Sequence, residues 1–182
     1  MNLFNILVTI FYLVSNPPNI DTVLDFDLSK FSGKWHQVYD NNYNKIFIKN
    51  GDCINHYYQE DHNTLFHLTY NDLNSNNTKS SISGNIKEVN VNNPGKLKIS
   101  ADKFLNSDYW ISKVGPVILD KYEYAIITDS LGLSLFVLVR NLDTFSDLYK
   151  DEILDFLNSS CKDDKVYDYL TNPILVNNTN CF

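Results

Sequence analysis

The chain has 182 residues, of which 43% are hydrophobic and 14% aromatic, so a single domain can bury a core of its own. A formal net charge of -7, without any basic cluster, argues against contacts with phosphate backbones and therefore against nucleic-acid binding. Because there are only 6 glycines and 5 prolines, we expect most turns to use Asn and Asp, which tolerate left-handed backbone conformations.

Residues 3–14 form an apolar run that only Asn5 and Thr9 interrupt. The run is too short to cross a bilayer but has the length of the apolar part of a secretory signal. No Lys or Arg precedes it, and Ser15 and Asn16 make a poor cleavage site. We predict a signal peptide over residues 1–16 and a single domain over 17–182, in a protein that is secreted or lies in the lumen of the secretory or vacuolar system. The alternative is a buried first strand.

Three cysteines, Cys53, Cys161 and Cys181, allow one disulfide in such an oxidising compartment and leave one thiol over. The spacing alone does not decide whether Cys53 bonds to Cys161 or to Cys181. Glycosylation sequons compatible with secretion stand at Asn76, Asn158 and Asn177.

The first strand of the domain is predicted to begin at a Gly-x-Trp sequence. Leu28 and Phe31 lie one helical turn apart just before it, which predicts a short helical turn. Gly33 permits a close approach of the backbone, and Trp35 supplies a large apolar surface that seals one end of a core. By the two-residue period of a strand, Gln37 and Tyr39 share the interior face with Trp35.

A second strand is predicted over residues 53–60, after a loop at 41–50. If Cys53 bonds to a tail outside the sheet, it faces outward, and Ile54, His56 and Tyr58 face inward. A two-residue turn at residues 62–63 would then place Tyr58 opposite His67.

This register also turns three apolar side chains of the third strand outward, namely Phe66, Leu68 and Tyr70. They would need a cover, an oligomer contact or a turn of another length, since a slip of one residue reverses every face.

Further strands are predicted over residues 80–90, 96–100, 116–119, 124–128 and 133–139. Residues 104–114 are interpreted as a long hairpin loop or as the start of a strand that bulges before Gly115. The last two strands are nearly continuous apolar runs, as expected of strands covered on both faces. Residues 144–158 predict the covering helix, with Thr144 or Ser146 as its cap and Asp147 near its positive end.

Three segments resemble the motifs of the lipocalin family, in the same order. They are Gly33-x-Trp35, the segment with Asp120, Tyr122 and Tyr124, and a strand that ends in Arg140. The last of these is similar to the branch of apolipoprotein D and the bacterial outer-membrane lipocalins. The resemblance implies an all-β fold, an eight-stranded antiparallel up-and-down β-barrel with one C-terminal α-helix on its outside.

In that family the arginine lies against the tryptophan at the closed end of the barrel, and Gly33, Trp35, Asp120, Tyr122 and Arg140 are therefore expected to be structural. The family habit also favours a disulfide between Cys53 and Cys181, with Cys161 free or intermolecular.

No enzyme motif stands out, because Gly-x-Ser-x-Gly, Cys-x-x-Cys, His-Glu-x-x-His and a phosphate-binding glycine loop are all missing from the sequence. Four histidines, His36, His56, His62 and His67, lie within a short region. In the register above only His56 and His67 converge, and two ligands without a cysteine or carboxylate make a weak metal site. We expect no metal, no cofactor and no catalytic residue.

A barrel of about eight strands has room for one small molecule. The resemblance and an aromatic interior together imply binding, transport or sequestration of a small hydrophobic ligand, with a role in lipid handling or in protection from oxidative damage. Fatty acids, sterols, retinoids and tetrapyrroles such as haem or bilin are the candidate ligands. The expected ligand-binding residues are Tyr39, His56, Tyr58, His67, Trp110 and Tyr124.

Two alternatives stay open. One is a lipocalin-type enzyme, an isomerase or de-epoxidase. The other is an oligomeric interaction protein whose cavity is filled and whose outward aromatic residues, Tyr57, Phe66 and Tyr70, form the contact face. The partners expected are thus a small hydrophobic molecule, a membrane surface without a spanning segment, or further copies of the chain in a homo-oligomer.

Overall fold

A computed structural model describes residues 3–15, 19–47, 52–60, 66–73, 79–101, 104–159, 168 and 170–179. Within these ranges the fold is mostly β, with one curled antiparallel sheet. The strands of this sheet are β1 (Gly33–Asp40), β2 (Asp52–Glu60), β3 (Phe66–Leu73), β4 (Lys79–Glu88), β5 (Lys96–Ala101), β6 (Phe104–Val114), β9 (Tyr124–Thr128), β10 (Phe136–Val139) and β11 (Ile174–Leu175).

The sheet closes on itself, because β10 pairs with β1 as well as with β9. Eight strands therefore form the ring in the order β1-β2-β3-β4-β5-β6-β9-β10. The short strand β11 pairs with the last two residues of β1. A small separate hairpin, β7 (Val117–Ile118) and β8 (Lys121–Tyr122), lies between β6 and β9. The antiparallel barrel with a C-terminal helix is confirmed.

The helices are α1 (Leu3–Ser15), α2 (Leu28–Phe31), α3 (Asn42–Phe47), α4 (Leu142–Thr144) and α5 (Lys150–Ser159), with a π-helical turn over Phe145–Tyr149. The last helical segments follow one another without a break and form the C-terminal helix. Asn141 caps it by accepting hydrogen bonds from the backbone of Asp143 and Thr144 at 2.8 and 3.0 Å. The predicted caps, Thr144 and Ser146, are wrong because the helix begins two residues earlier than the apolar pattern indicates.

Three other segments differ from the sequence-based prediction or decide between its alternatives. The alternative of a buried first strand near the N-terminus is wrong, because this segment is the helix α1, whose Leu13 is buried with Leu133 and Leu170. The predicted loop after β1 begins with α3. Of the two interpretations of residues 104–114, the hairpin loop is wrong and the bulging strand is confirmed: the segment is the strand β6, which bulges between Ile111 and Lys113 where it pairs with β9.

The register of β2 and β3 differs by one residue from the prediction. Tyr58 pairs with Leu68 and His56 pairs with Tyr70, whereas His67 pairs with Gln59. The physical reason is the length of the connection, since five residues, 61–65, separate the two strands instead of a two-residue turn.

The described core lies on both faces of the sheet. The interior cluster fills the closed end of the barrel and consists of Phe26, Phe31, Trp35, Tyr58, Ile86, Leu97, Ile99, Tyr109, Ile111, Tyr122, Ala125, Ile127 and Leu138. The outer cluster lies under the C-terminal helix and consists of Val38, Tyr39, Tyr124, Ile126, Leu135, Val137, Val139, Phe145, Tyr149 and Ile153. β9 and β10 contribute to both clusters, which explains their continuous apolar sequences.

The closed end is organised around one guanidinium group. The central carbon of Arg140 lies 3.7 Å from the centroid of the Trp35 ring. Its nitrogens donate to the backbone carbonyls of Tyr122, Lys34, Lys30 and Phe31 over 2.9–3.2 Å. Burial lowers the pKa of Arg140 to about 10, so the group remains charged at neutral pH.

Gly33 makes this close approach possible. Its φ of +107° lies in the region that favours glycine, and a Cβ at this position would come within 3.0 Å of Nη1 of Arg140. Trp35 adds a hydrogen bond of 2.8 Å from Nε1 to the carbonyl of Phe31, which fixes the indole against α2.

At the open end a buried carboxyl group is the centre of a hydrogen-bond network. Asp40 is 1% exposed, and its Oδ1 accepts hydrogen bonds from the backbone of Asn41 and from Nδ2 of Asn44, both at 2.8 Å. The two asparagine side chains also donate to the carbonyls of Leu133 and Leu135, at 2.7 Å each. This network ties α3 to the loop between β9 and β10. Burial raises the pKa of Asp40 to about 6.

Replacing Arg140 with methionine should lower the free energy of unfolding by at least about 3 kcal/mol, because the cation–π contact is lost and backbone carbonyls in the floor lose their donor. Urea unfolding of the two proteins measures this. Lys96→Met is the matched control, since Lys96 lies 4.1 Å from the centroid of the half-buried Trp110 and should cost less than about 1 kcal/mol. Equal losses in both variants would show that the floor does not depend on the guanidinium.

The raised pKa of Asp40 predicts a pH-dependent stability with a definite sign. The folded-state pKa of about 6 lies above the ordinary value of 3.8, so the stabilising contribution is present in full below pH 3.8 and is lost as the pH rises through 6. A shift of this size corresponds to about 3 kcal/mol. Other carboxylates titrate with the opposite sign, so the quantity to measure is the difference in unfolding free energy between the wild type and Asp40→Asn. We expect this difference to move in favour of Asn between pH 4 and pH 7; a constant difference would contradict the assignment.

Candidate functional site

The interior of the barrel begins above an aromatic floor. The Phe31 ring lies 5.0 Å from the Trp35 ring and 4.6 Å from the Tyr58 ring, measured between centroids. Phe26 stacks on Tyr122 at 5.7 Å on the same side of the molecule. These contacts fill the closed end with large side chains, so a ligand has to approach from the other end.

A hydrogen bond crosses the barrel above this floor. The hydroxyl groups of Tyr58 and Tyr109 are 2.6 Å apart, and both residues are buried. Tyr58 is on β2 and Tyr109 is on β6, which are four strands apart in a ring of eight and therefore on opposite walls. Burial raises the pKa of both tyrosines, so both hydroxyls are neutral at physiological pH.

His56 continues this chain of polar groups toward β1. Its Nε2 is 2.9 Å from Oε1 of Gln37, and its Nδ1 makes a longer contact of 3.4 Å with the hydroxyl of Tyr58. Burial lowers the pKa of His56 to about 3, so the ring is neutral and carries one N–H. With an amide oxygen facing Nε2, that nitrogen donates and Nδ1 is left to accept.

Gln37 is the last member of this series of hydrogen bonds, and its amide nitrogen is a donor without a described partner. The residue is fully buried at 0% exposure, and its Nε2 has no hydrogen-bond partner among the described residues. Its position two residues beyond Trp35 along β1 places it between the floor and the open end. The half-buried ring of Phe136, 6.4 Å from the rings of both His56 and Tyr109, lies on the neighbouring strand β10.

The electrostatic character of this site is neutral. Arg140 lies against Trp35 at the closed end and Asp40 lies at the open end. The other polar side chains among the buried residues that the structure describes are Gln37, Asn41, Asn44 and His56, and all are uncharged at neutral pH. The polar chain from Tyr109 to Gln37 can therefore recognise a ligand through hydrogen bonds but offers it no charge.

The structure brings two of the six expected ligand-binding residues, His56 and Tyr58, into this site. Tyr39 lies instead outside the barrel, with its ring 6.0 Å from that of Phe145. The reason is a register shift in the β1–β10 pairing between Gln37 and Tyr39, which reverses the face of the strand.

Tyr124 and Trp110 also lie on the outside. The Tyr124 hydroxyl donates to Glu152 at 2.7 Å, and its ring packs on Tyr149 under the C-terminal helix. Trp110 lies beneath the ammonium group of Lys96, whereas its neighbours Tyr109 and Ile111 belong to the interior cluster. Strand alternation explains both positions, but the sequence did not indicate which of the two faces is the inner one.

The remaining expectations fall partly outside the described residues. His67 pairs with Gln59 instead of Tyr58, so the reason for placing it beside Tyr58 no longer holds, and its side chain lies outside the described part. His62 lies outside it altogether. The outward aromatic face was also inferred from the predicted register; only Tyr57 of its three members has a described side chain, which is exposed.

Near the start of β2 a bulge changes which residues face the tail. Cys53 has a φ of +59°, and the β2–β3 pairing shifts register between Asp52 and Asn55. As a result Ile54, expected inside, packs on Val176 of the C-terminal tail. Cys53 is disulfide-bonded, and both cysteines available as its partner, Cys161 and Cys181, lie outside the described residues.

Three site residues were missed or not recognised as binding groups. Gln37 was placed in the interior by the strand period, but nothing in the sequence showed that its amide lacks a partner. Tyr109 was missed because its segment was interpreted as either a hairpin loop or a bulging strand, and its neighbour Trp110 was the residue expected to face the ligand. Phe136 lies in a predicted strand, but its continuous apolar sequence gives no indication of which side chains face inward.

No group of three or more His, Cys, Asp or Glu side chains able to hold a metal ion occurs among the residues that could be searched. In the same part of the chain, none of the helices combines the length and the apolar character needed to cross a bilayer.

Comparison with known proteins agrees with this architecture. The model of a family described as a lipocalin-like domain matches residues 26–155. Among solved structures, the chain is similar to the cockroach allergen Per a 4, with 13% identity, 89% of this chain and 94% of that chain covered, and a TM-score of 0.60. Lobster apocrustacyanin A1 gives 15% identity, coverages of 89% and 93%, and a TM-score of 0.59.

Japanin from Rhipicephalus appendiculatus, solved with cholesterol bound, has 13% identity, coverages of 84% and 96%, and a TM-score of 0.56. At these identities the structural likeness establishes the fold alone. The family model, however, matches well over half of the chain, and the protein therefore belongs to the lipocalin-like family.

Proposed function

We propose that this protein binds a small hydrophobic molecule inside the barrel and transports or sequesters it. The observation that carries the proposal is a closed barrel whose floor is sealed by aromatic residues and whose interior ends in a buried, incompletely satisfied polar group, Gln37. Members of the lipocalin family are mostly binding proteins, and the cholesterol bound to japanin illustrates the kind of ligand that this fold accepts.

Burial of apolar surface supplies the affinity. Removing about 300 Å² of ligand surface from water contributes several kcal/mol at about 25 cal/mol per Å², before the cost of immobilising the ligand is subtracted. Sterols, retinoids, fatty acids and tetrapyrroles all carry enough apolar surface for this. The lack of charge among the described side chains of the site is the feature that distinguishes among them.

An enzymatic function is less well supported. An isomerase or de-epoxidase requires an acid–base pair or a nucleophile in the interior. The histidine of the described site, His56, is a weak base because burial lowers its pKa to about 3. The two interior tyrosines have raised pKa values and are poor acids at neutral pH for the same reason.

The cellular setting belongs to the same proposal. Residues 1–16 act as a secretory leader, which the charge-free apolar helix α1 supports. In the oxidising compartment Cys53 pairs with Cys181, and this pairing is supported by the C-terminal tail, where the carbonyl of Asn177 accepts a hydrogen bond from the backbone of Cys53 at 3.0 Å. The strand that ends at Arg140 favours the branch of apolipoprotein D and the bacterial outer-membrane lipocalins.

Ligand binding can be tested with N-phenyl-1-naphthylamine, a neutral aromatic probe whose fluorescence rises in apolar surroundings. The wild-type protein should bind it, and Phe136→Asn should weaken binding by at least about tenfold, because a polar group replaces a ring of the site wall. Ile118→Asn, an exposed position at the closed end, is the matched control and should bind normally. A wild type that does not bind the probe, or equal binding by a folded Phe136→Asn variant, would contradict an interior site.

The disulfide can be tested by digesting the secreted protein without reduction after alkylating its free thiols. Mass spectrometry should find the peptide of Cys53 linked to that of Cys181, and Cys161 alkylated. A Cys53–Cys161 peptide would overturn the pairing. Native mass spectrometry of the protein from its own source would in addition give the mass of any ligand that copurifies.

A further inference from the structure

We propose that the ligand is an uncharged molecule with a hydrogen-bond-accepting oxygen, and that Nε2 of Gln37 donates to this oxygen. This inference rests on the proposed ligand-binding function and goes further by assigning the recognition group and the chemical class. The oxygen is that of a ketone, an aldehyde, an ester, an ether or a hydroxyl group. The first observation behind it is the direction of hydrogen bonding in the polar chain.

That direction follows from the neighbours of each group. A neutral His56 donates from Nε2 to Oε1 of Gln37, so the amide oxygen is already an acceptor for the ring. Nδ1 of His56 then accepts from Tyr58, whose hydroxyl in turn accepts from Tyr109. Each donor from the Tyr109 hydroxyl to the His56 ring is thereby used within this series of hydrogen bonds. The amide nitrogen of Gln37 is left with two N–H groups to offer.

Burial makes this unused donor informative. An amide N–H group removed from water without a partner is destabilising, and such groups are rare in folded proteins. Gln37 is fully buried, and no described residue accepts from Nε2. A ligand oxygen that accepts from it removes this cost, whereas a purely apolar ligand leaves it in place. The site therefore favours an oxygen-containing ligand over a hydrocarbon of the same shape.

The described surroundings of Gln37 offer no available positive charge and therefore disfavour ionised ligands. A carboxylate beside Gln37 would lose its hydration without a cation among the described side chains to replace it, because Arg140 already donates to four carbonyls below the indole. His56 offers no positive charge at neutral pH. Among the candidate ligands, fatty-acid anions and tetrapyrrole carboxylates are thus disfavoured, and neutral sterol-like or retinoid-like molecules with an oxygen function are favoured.

The position of Gln37 also sets the orientation of the ligand. Gln37 lies toward the open end from Trp35, whereas Tyr58 and Tyr109 close the interior beneath the site. A ligand that enters from the open end reaches the amide with its leading end. Its oxygen should therefore lie deep in the barrel, and its apolar remainder should extend past Phe136 toward the mouth.

The test uses displacement of N-phenyl-1-naphthylamine, which has no oxygen, by three twelve-carbon probes: 2-dodecanone, 1-dodecanol and dodecanoate at pH 7.5. The wild type, Gln37→Met and the matched control Gln59→Met, an exposed glutamine on β2, are compared. We expect Gln37→Met to bind 2-dodecanone about tenfold more weakly than the wild type and to bind the naphthylamine within twofold of it, because only the ketone loses a hydrogen bond. Gln59→Met should change neither affinity.

A second comparison needs no variant. The wild type should bind 2-dodecanone at least about tenfold more tightly than dodecanoate, since the neutral interior penalises the anion. Preference for dodecanoate overturns the inference. So does a tenfold preference for dodecanol over dodecanone, which would mean that the amide oxygen of Gln37 faces the ligand and requires a donor.

The experiments distinguish failure of the ligand-binding function from failure of the role assigned to Gln37. If the wild type binds neither the naphthylamine nor the ketone, the ligand-binding function itself is wrong. If it binds both, and Gln37→Met leaves the ketone affinity unchanged while remaining folded by circular dichroism, the function stands and the role of Gln37 is refuted.

Discussion

The contact between the Arg140 guanidinium and the Trp35 indole is the constraint on which the rest of the molecule depends. It joins the first and last strands of the barrel at the point where the sheet must close, across more than a hundred residues of chain. The same guanidinium donates to backbone carbonyls of α2, β1 and β8, so one charged group satisfies acceptors from several segments. Its burial is tolerated because four of its five N–H groups donate to carbonyls and the ring face attracts the charge.

With the charge of Arg140 held at the closed end, the described polar groups of the interior above it are uncharged. The polar groups there form a line from Tyr109 through Tyr58 and His56 to Gln37. Burial keeps the histidine and the two tyrosines neutral, and the amide of Gln37 carries no charge. A chain of neutral hydrogen bonds in a low-dielectric interior has a direction, set by which atom at one end lacks a partner. Among the described residues the end without a partner is the amide nitrogen of Gln37, and the proposed preference for a ligand oxygen rests on this atom.

Local irregularities of the strands decide which side chains reach that interior. The register shift after Gln37 turns Tyr39 onto the outer cluster, and the bulge at Cys53 turns Ile54 toward the tail. A third shift, between Ile111 and Lys113, lies just below Tyr109 on β6. Bulges bend and re-aim strands in this way in many small barrels, and a strict two-residue alternation cannot anticipate them.

The amino-acid sequence by itself determined the architecture: the Gly33-x-Trp35 entrance and the strand ending at Arg140 predicted a closed barrel with an outer helix through their resemblance to lipocalin motifs, and the apolar runs of β9 and β10 agreed with it. These features are local, since each depends on residue type and spacing within one segment. Only the tertiary structure decided the site. Whether Tyr58 pairs with Leu68 or His67, and whether Trp110 faces inward, depends on turn lengths and bulges, and one residue of slip exchanges the two faces of a strand. The free amide of Gln37 is likewise a property of its neighbours on β2 and β6, which no spacing along β1 can reveal.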